Sequence, residues 1–500
     1  MISFESFPAT ARASTVAVEL KGKRRTLAGN TIPEIVLIPG QYDPANTGVV
    51  ENEPKQLFTA DAFGDYYGYG SEIHRQAMWI FALLGGFSEN VWGMALAIPT
   101  GTPAAADGDV VFATAASSAG TFYVSVGGDL IAVSLPNGAT PTEAGDAFEA
   151  AVNANKRLAV TASNSTGTVT LTAKWVGATG NQINVVANPG GDVQSGENPG
   201  GMTITAPGLL TGGSGDALVS GAFFDGGEDA LRERWYTIIT CPYQDSTNLT
   251  AYKTLADLRS APEVNRRFAA YVGYVGKTYA EAFSIPATIN HPSICPAWES
   301  RALVPDFELG AALAGLVAAS ATFDPGRPFK TLPVGVPTTV GVDNLAYAKN
   351  DALFRAGIGY FAIDGAGVLR AGDIPTSYRT NPGGASTEEW FDAVSIHRRQ
   401  QFAYDIETMG RSDPYTRGML ASDDVVTGKD YVVKPKTLGT DLINLVDVWA
   451  SEGWVKNPEE IKETILTLIN AGNNSRLDGA LTLDEAQALR IVAIKATFLY

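Results

Sequence analysis

Two cysteines, Cys241 and Cys295, stand in a chain of 500 residues. They cannot staple it, and they read as free thiols of a reducing compartment. Histidine is almost as scarce. His74, His291 and His397 lie far apart, and His291 and Cys295 share a metal only with ligands the sequence does not identify; Pro292 and Pro296 favour a loop there. Charge is sparse and skewed, with 36 Lys and Arg against 53 Asp and Glu, for a net charge of −17. Phosphate contacts need cations, so no intimate nucleic-acid surface is expected, nor attraction to anionic lipid. The longest apolar runs fall well short of the ~20 residues of a membrane-spanning helix. The first residues show no basic segment before an apolar stretch, so no secretory signal is expected. These absences point to a protein made and used in cytoplasm, or in a particle assembled there.

Catalytic motifs are missing as well. "GYVGKT" at 273–278 has the end of a phosphate loop, but Tyr271 stands where its first glycine belongs. Gly365, Gly367 and Gly372 do not match the dinucleotide fingerprint, and the glycines around Ser214 are not spaced as in a nucleophile elbow. Asp225-Gly-Gly-Glu-Asp229 lacks the alternating ligands of a calcium loop and reads as a solvated turn. No catalytic residue, metal or cofactor is expected, and in a chain this long that silence weighs against an enzyme.

What is present is a patchwork of α/β and strand-rich segments. In residues 32–98, "EIVLIPG" is a buried strand. Ser71 caps a helix with Ile73, Ala77, Ile80 and Leu84 on one stripe, and "MALAIP" is the next strand. From 99 to 215 charges thin out and Gly, Thr, Ser, Ala and Asn dominate. Short alternating strands are broken there by one helix, opened by the capping box Thr140-Pro-Thr-Glu143. Residues 216–385 return to α/β, with strands in "RWYTIITCP" and "FAAYVGYVG", a small-residue helix after Asp306 and a hairpin around Asp364-Gly365. Beyond 386, one helix is expected near Ser386, a second after Asn457 with Ile461, Ile465, Leu468 and Ile469 along one face, and a third capped by Thr482 and Glu485. Both ends alternate like strands. Val16, Val18 and Leu20 share one face near the start; Val492, Ile494, Ala496, Phe498 and Tyr500 share one at the end. Neither has a hairpin partner beside it, so each either returns to its own molecule or is lent to a neighbour.

Several segments together resemble a known family. "ISFESFPATARASTVAVELKGKRR", "GTFYVSVGGDLIAV", "LAVTASNSTGTVTLTAKWVGATGNQINV", "WYTIITCPYQDSTNL" and "GRPFKTLPVG" run in order along the chain. "GIGYFAIDGAGVLRAGDIPTSYRTNPGGASTEEWFDAVSI", with Thr376 and Tyr378 in its turn, and "NSRLDGALTLDEAQALRIVAIKATF" complete them. The whole is similar to the contractile tail sheath proteins of Mu-like phages, although Ala13-Ser14-Thr15 replaces a common Pro-Gly in the first arm.

The resemblance implies a multidomain α/β (α+β) fold. It would have an N-terminal arm at 1–25, an α/β core at 26–98 and 216–385, an inserted strand-rich outer domain at 99–215, a C-terminal domain at 386–489 and an arm strand at 490–500. Neighbours' arms would complete the C-terminal sheet through Val16, Val18, Leu20, Val492, Ile494 and Phe498. Hinges would lie at Gly22 and Gly29 and near residues 489–491. It further implies a structural role in the virion, as hexameric rings stacked around an inner tail tube, with baseplate and tail terminator proteins as further partners. Contraction would drive the tube through the host envelope. Glu459, Glu460, Lys462 and Glu463 would face the tube. A sheath from a secretion or extracellular injection machine is the nearest alternative, and a glycan-binding surface protein a more distant one.

Overall fold

A computed structural model describes residues 31–85, 90–189, 199–339 and 343–495. The described chain forms two units, one of residues 31–404 with 488–495 and one of residues 405–487. Among the expected site residues, Val16, Val18, Leu20, Gly22, Gly29 and Phe498 lie outside the described residues.

The first unit opens with β1 (Val36–Gly40), buried along its whole length, and β2 (Pro54–Gln56). Then come α1 (Ala60–Tyr67), capped by Thr59, and α2 (Glu72–Leu84), where the Ser71 hydroxyl accepts the His74 N–H. β3 (Val91–Ala95) begins earlier than the expected "MALAIP" strand, because its register with β1 runs from Val36–Val91 to Gly40–Ala95.

Next comes a strand-rich stretch with β4 (Ala105–Ala113), β5 (Gly120–Val126), β6 (Asp129–Leu135), α3 (Pro141–Ala154), β7 (Val160–Ser165), β8 (Thr168–Val176), β9 (Asn184–Ala187), β10 (Thr203–Thr205) and β11 (Gly208–Leu209). Two four-stranded sheets result, β10-β4-β8-β7 and β11-β9-β5-β6. They share a core with α3 in which Phe112, Phe122 and Phe148 meet at centroid distances of 5.2–6.2 Å. The expected capping box closes α3: Thr140 Oγ1 accepts the Glu143 N–H, and Glu143 accepts the Thr140 N–H.

The chain then returns through α4 (Ser220–Phe223) and the hairpin β12 (Phe224–Asp225) with β13 (Glu228–Asp229), which is the turn expected at Asp225. β14 (Ile238–Thr240), α5 (Ser246–Ser260), β15 (Ala269–Tyr274), α6 (Tyr279–Ile289), β16 (Ile294–Trp298), α7 (Asp306–Phe323) and α8 (Tyr347–Ala356) follow. The sheet order is β16-β15-β14-β1-β3-β2, with every pairing parallel except that of edge strand β2. One apolar cluster gathers α2 and α7 on one face, and another gathers α5, α6 and α8 on the other; parallel strands need such two-sided cover.

α7 is long and apolar enough to cross a membrane by length and composition alone, yet 78 % of it is buried inside this unit. Its small residues allow close backbone approach. A Cβ on Gly273 of β15 would lie 2.1 Å from the Asp306 carbonyl oxygen. The "GYVGKT" glycine therefore serves helix–strand packing, and Thr278 of the same motif caps α6 through Glu281.

β17 (Phe361–Ile363) and β18 (Leu369–Ala371) form the expected hairpin. α9 (Ala393–Gly410) starts seven residues after Ser386, where a helix was expected to begin. The intervening backbone is committed elsewhere: Ser386 bridges Thr380, the Thr387 N–H reaches the Arg379 carbonyl, and the Phe391 carbonyl accepts from Thr376.

The second unit contains β19 (Met419–Leu420), β20 (Val432–Val433), α10 (Pro435–Ser451), α11 (Pro458–Glu463), β21 (Leu466–Ile469) and β22 (Leu477–Ala480). Two expectations are corrected here. The helix after Asn457 stops at Glu463, and Leu468 and Ile469 belong to a strand, because the hairpin β21–β22 lies against α10. No helix follows Thr482. Its N–H is taken by Thr464 Oγ1, Glu485 bridges Val455, and the Ala486 N–H goes to the Trp454 carbonyl.

Candidate assembly surfaces

The β21–β22 hairpin is a two-stranded sheet, and no described strand lies against either edge. Its register pairs Leu466 with Ala480 and Ile469 with Leu477, and the Asn470 N–H reaches the Arg476 carbonyl. Antiparallel alternation then turns the N–H and C=O groups of Thr467 and Ile469 towards one open edge and those of Leu477 and Gly479 towards the other. A two-stranded sheet is marginal alone. Gly479 lies against Leu438 and Leu442 of α10, while Leu466 and Leu468 on the opposite face are 59 % and 43 % exposed.

The end of the described chain belongs to the first unit. The Arg490 guanidinium donates to Asp373 Oδ1 at 3.2 Å and to Asp392 Oδ2, and lies 4.8 Å from the Phe354 ring centroid. Lys330 Nζ donates to the Leu489 carbonyl at 2.7 Å. Burial pushes the Asp392 carboxyl up, against the pull of Arg490. Beyond this anchor residues 491–495 carry no strand, and Ile491, Val492 and Ile494 are 68 %, 72 % and 86 % exposed. Val492 and Ile494 of the alternating run are thus solvated, and the junction near 489–491 is a side-chain anchor where a hinge was expected.

Glu459, Glu460 and Glu463 are exposed on α11, whereas Lys462 donates to Asp447 and Glu459 at 2.6 and 2.7 Å. The strand-rich stretch is tied to α2 and α7 by buried polar groups. Arg75 of α2 forks onto Glu308 of α7 at 2.8 and 3.0 Å, reaches Asp129 of β6 at 2.5 Å and donates to the Gly127 and Arg157 carbonyls. Burial opposes its charge, but the two carboxylates outweigh that and hold the guanidinium above its ordinary value. Close by, Glu72 Oε2 accepts from the Gln41 N–H and the Tyr243 hydroxyl, both at 2.8 Å. Sequence reasoning missed the Arg75 junction and the Arg490 anchor. Glu308, which with Asp306 supplies the only charges of the largely apolar α7, was the available signal for the first.

The histidines serve the core. His74 accepts the Gly70 N–H, and burial, helped by nearby Arg75 and Arg157, pushes it down to about 3. His397 lies between Glu34 and Tyr271. His291 faces Asp257 at 3.3 Å. Among the described residues, no three His, Cys, Asp or Glu side chains are placed to share a metal.

No protein-family model matches the chain. Among curated proteins it is 23 % identical over 499 residues to the Mu-like prophage FluMu tail sheath protein of Haemophilus influenzae, which covers 95 % of this chain and 100 % of that one. Among solved structures it is similar to a sheath tail protein of Desulfitobacterium hafniense, at 12 % identity and a TM-score of 0.46 over 94 % of this chain and 100 % of that one. A sheath tail protein of Listeria innocua aligns at 10 % identity and a TM-score of 0.47, over 91 % and 92 %. Along nearly its full length, the chain is a relative of a Mu-like prophage tail sheath protein, the family its segments resemble.

Proposed function

We propose that this chain is the structural subunit of a contractile phage tail sheath and performs no catalysis. The observation that carries the reading is the end-to-end relationship to a tail sheath protein, which leaves no substantial part of either chain unmatched. In this reading, copies stack as six-membered rings around an inner tube, bounded by baseplate and terminator proteins, in a virion assembled in host cytoplasm. The domain limits at 99–215 and 386–489 and the arms at 1–25 and 490–500 belong to the same proposal.

Copies are joined by strand addition. The open edges of β21 and β22 are the acceptors. The donors are the segment with Val16, Val18 and Leu20, hinged at Gly22 and Gly29, and the one with Val492, Ile494 and Phe498. The solvated state of Val492 and Ile494 supports this, since an aliphatic alternation left in water is normally covered in the assembled state. A lent strand forms about five backbone hydrogen bonds of roughly 0.5–1.5 kcal/mol net each. Each buried Val, Leu, Ile or Phe adds roughly 1.5–3 kcal/mol. One link is moderate, but a mesh of them survives while other contacts break. Contraction then needs two packings of one folded subunit, with the contracted one lower in energy. The α11 face of Glu459, Glu460 and Glu463, with Lys462 tied down beside them, suits a weak polar contact with a tube that must be released.

Negative-stain electron microscopy of purified protein tests the reading. The full chain is expected to form sheath-width tubes, and deletion of residues 1–20 or 491–500 to yield folded subunits without long tubes. Normal tubes from either deletion would refute strand lending.

A further inference from the structure

Arg490 sits where the described chain changes character. Up to it the segment is gripped. Ala488 lines a tight cleft with Pro328, Phe329 and Ile374, and the Leu489 carbonyl is held by Lys330. After it every described residue is exposed. The grip on Arg490 comes from three separate elements. Asp373 follows β18 and also accepts the Tyr360 hydroxyl. Asp392 caps α9 by accepting the Val394 N–H. Phe354 of α8 and Phe391 pack edge to face at 4.5 Å and offer their rings to the guanidinium at 4.8 and 5.8 Å. A planar fork between two carboxylates, resting on aromatic rings, fixes position and direction, which an ammonium on a flexible stem does not.

We propose that Arg490 is the fixed root of the C-terminal arm. Held by Asp373 and Asp392 over Phe354 and Phe391, it sets where and in what direction residues 491–500 leave the α/β unit, and so which neighbouring copy they reach. This rests on the strand-lending reading above. A lent strand must meet its acceptor in one register, because a slip of one residue turns its apolar face outward. An arm rooted five residues before the end of the described chain samples far fewer directions than one loose from Ala488 onward. Arg490 is a positioning residue: it makes none of the inter-subunit ladder itself.

The test uses the full chain with spin labels at Ile494→Cys and Tyr347→Cys, both highly exposed, while the native thiols Cys241 and Cys295 are buried. Below the polymerisation concentration, the parent is expected to give one narrow inter-label distance distribution. Arg490→Ala should broaden it at least two-fold and, in the unlabelled chain, cut the yield of long tubes at least ten-fold while circular dichroism shows a folded subunit, although loss of the cation beside buried Asp392 lowers its unfolding midpoint. Arg490→Lys should fall between the two, and it decides by the same readouts if the alanine variant does not fold. An unbroadened distribution, or a parental tube yield, overturns the proposal. Deletion of 491–500 separates the two levels. If the deletion abolishes tubes and Arg490→Ala does not, only the root fails; if the deletion makes normal tubes, strand lending fails and takes the root with it.

Discussion

Glu72 sits in an environment at odds with its charge. Its side chain is fully buried at the start of α2, one oxygen accepting from the Gln41 N–H and the Tyr243 hydroxyl. Burial outweighs the hydrogen bonds from Gln41, Tyr243 and Thr179 and pushes the carboxyl from 4.5 up to about 7. Because the folded value lies above the unfolded one, the folded chain holds the proton better. The stability this gives is complete below pH ~4.5 and is lost as pH rises to ~7. A rise from 4.5 to about 7 corresponds to about 3 kcal/mol. Glu72→Gln retains an acceptor for both donors and removes the charge. Its unfolding midpoint, measured by differential scanning calorimetry, should therefore climb relative to the parent between pH 4.5 and 7 and run parallel above. A gap that shrinks over that window would show that the ionised carboxylate is the form the fold prefers.

At the scale of elements, the hairpin edges make the sharpest demand. The Thr467 N–H points out of the hairpin and the Leu468 N–H points into it, so proline distinguishes the two roles of one strand. Proline is tolerated on an edge strand where its missing N–H faces solvent. Thr467→Pro should leave the subunit's circular dichroism intact while reducing tube formation, whereas Leu468→Pro should disturb the hairpin itself. Equal assembly by Thr467→Pro and the parent would mean that no strand is added on the β21 edge. The same region shows why some elements were legible from the sequence and others were not. Ser71, Thr140 and the Asp364 turn carry their own local chemistry, and α2, α3 and the β17–β18 hairpin stand where it placed them. Thr482 and Glu485 have the same spacing as a capping box, but bridges to Val455 and Trp454 claim that backbone. Ile461, Ile465 and Leu468 share helical spacing, yet packing against α10 turns the run into a strand after Glu463. Arg490 was invisible because its partners, Asp373 and Asp392, are about a hundred residues away in sequence.

Across the whole molecule, net charge sets the cost of bringing copies together. Each chain carries −17, and the proposed lattice would pack many of them within a few nanometres, so their mean interaction would be repulsive. The proposed strand addition would have to overcome that repulsion through backbone hydrogen bonds and apolar burial, neither of which salt screens appreciably. Screening length falls from about 10 Å at 0.1 M salt to about 3 Å at 1 M. The critical concentration for tube formation, measured by sedimentation, should therefore fall as salt rises at pH 7. Approaching the isoelectric point of about 4.7 removes the same charge by protonation, so acidification to pH ~5 at low salt should lower it too. The two treatments act on one quantity, so salt should add little once the pH is ~5. A critical concentration that rises with salt would mean that ion pairs between copies outweigh the net repulsion. The basic stretch Lys21, Lys23, Arg24 and Arg25 would then be the first group to neutralise, since four cations lie there in sequence directly after the proposed donor segment.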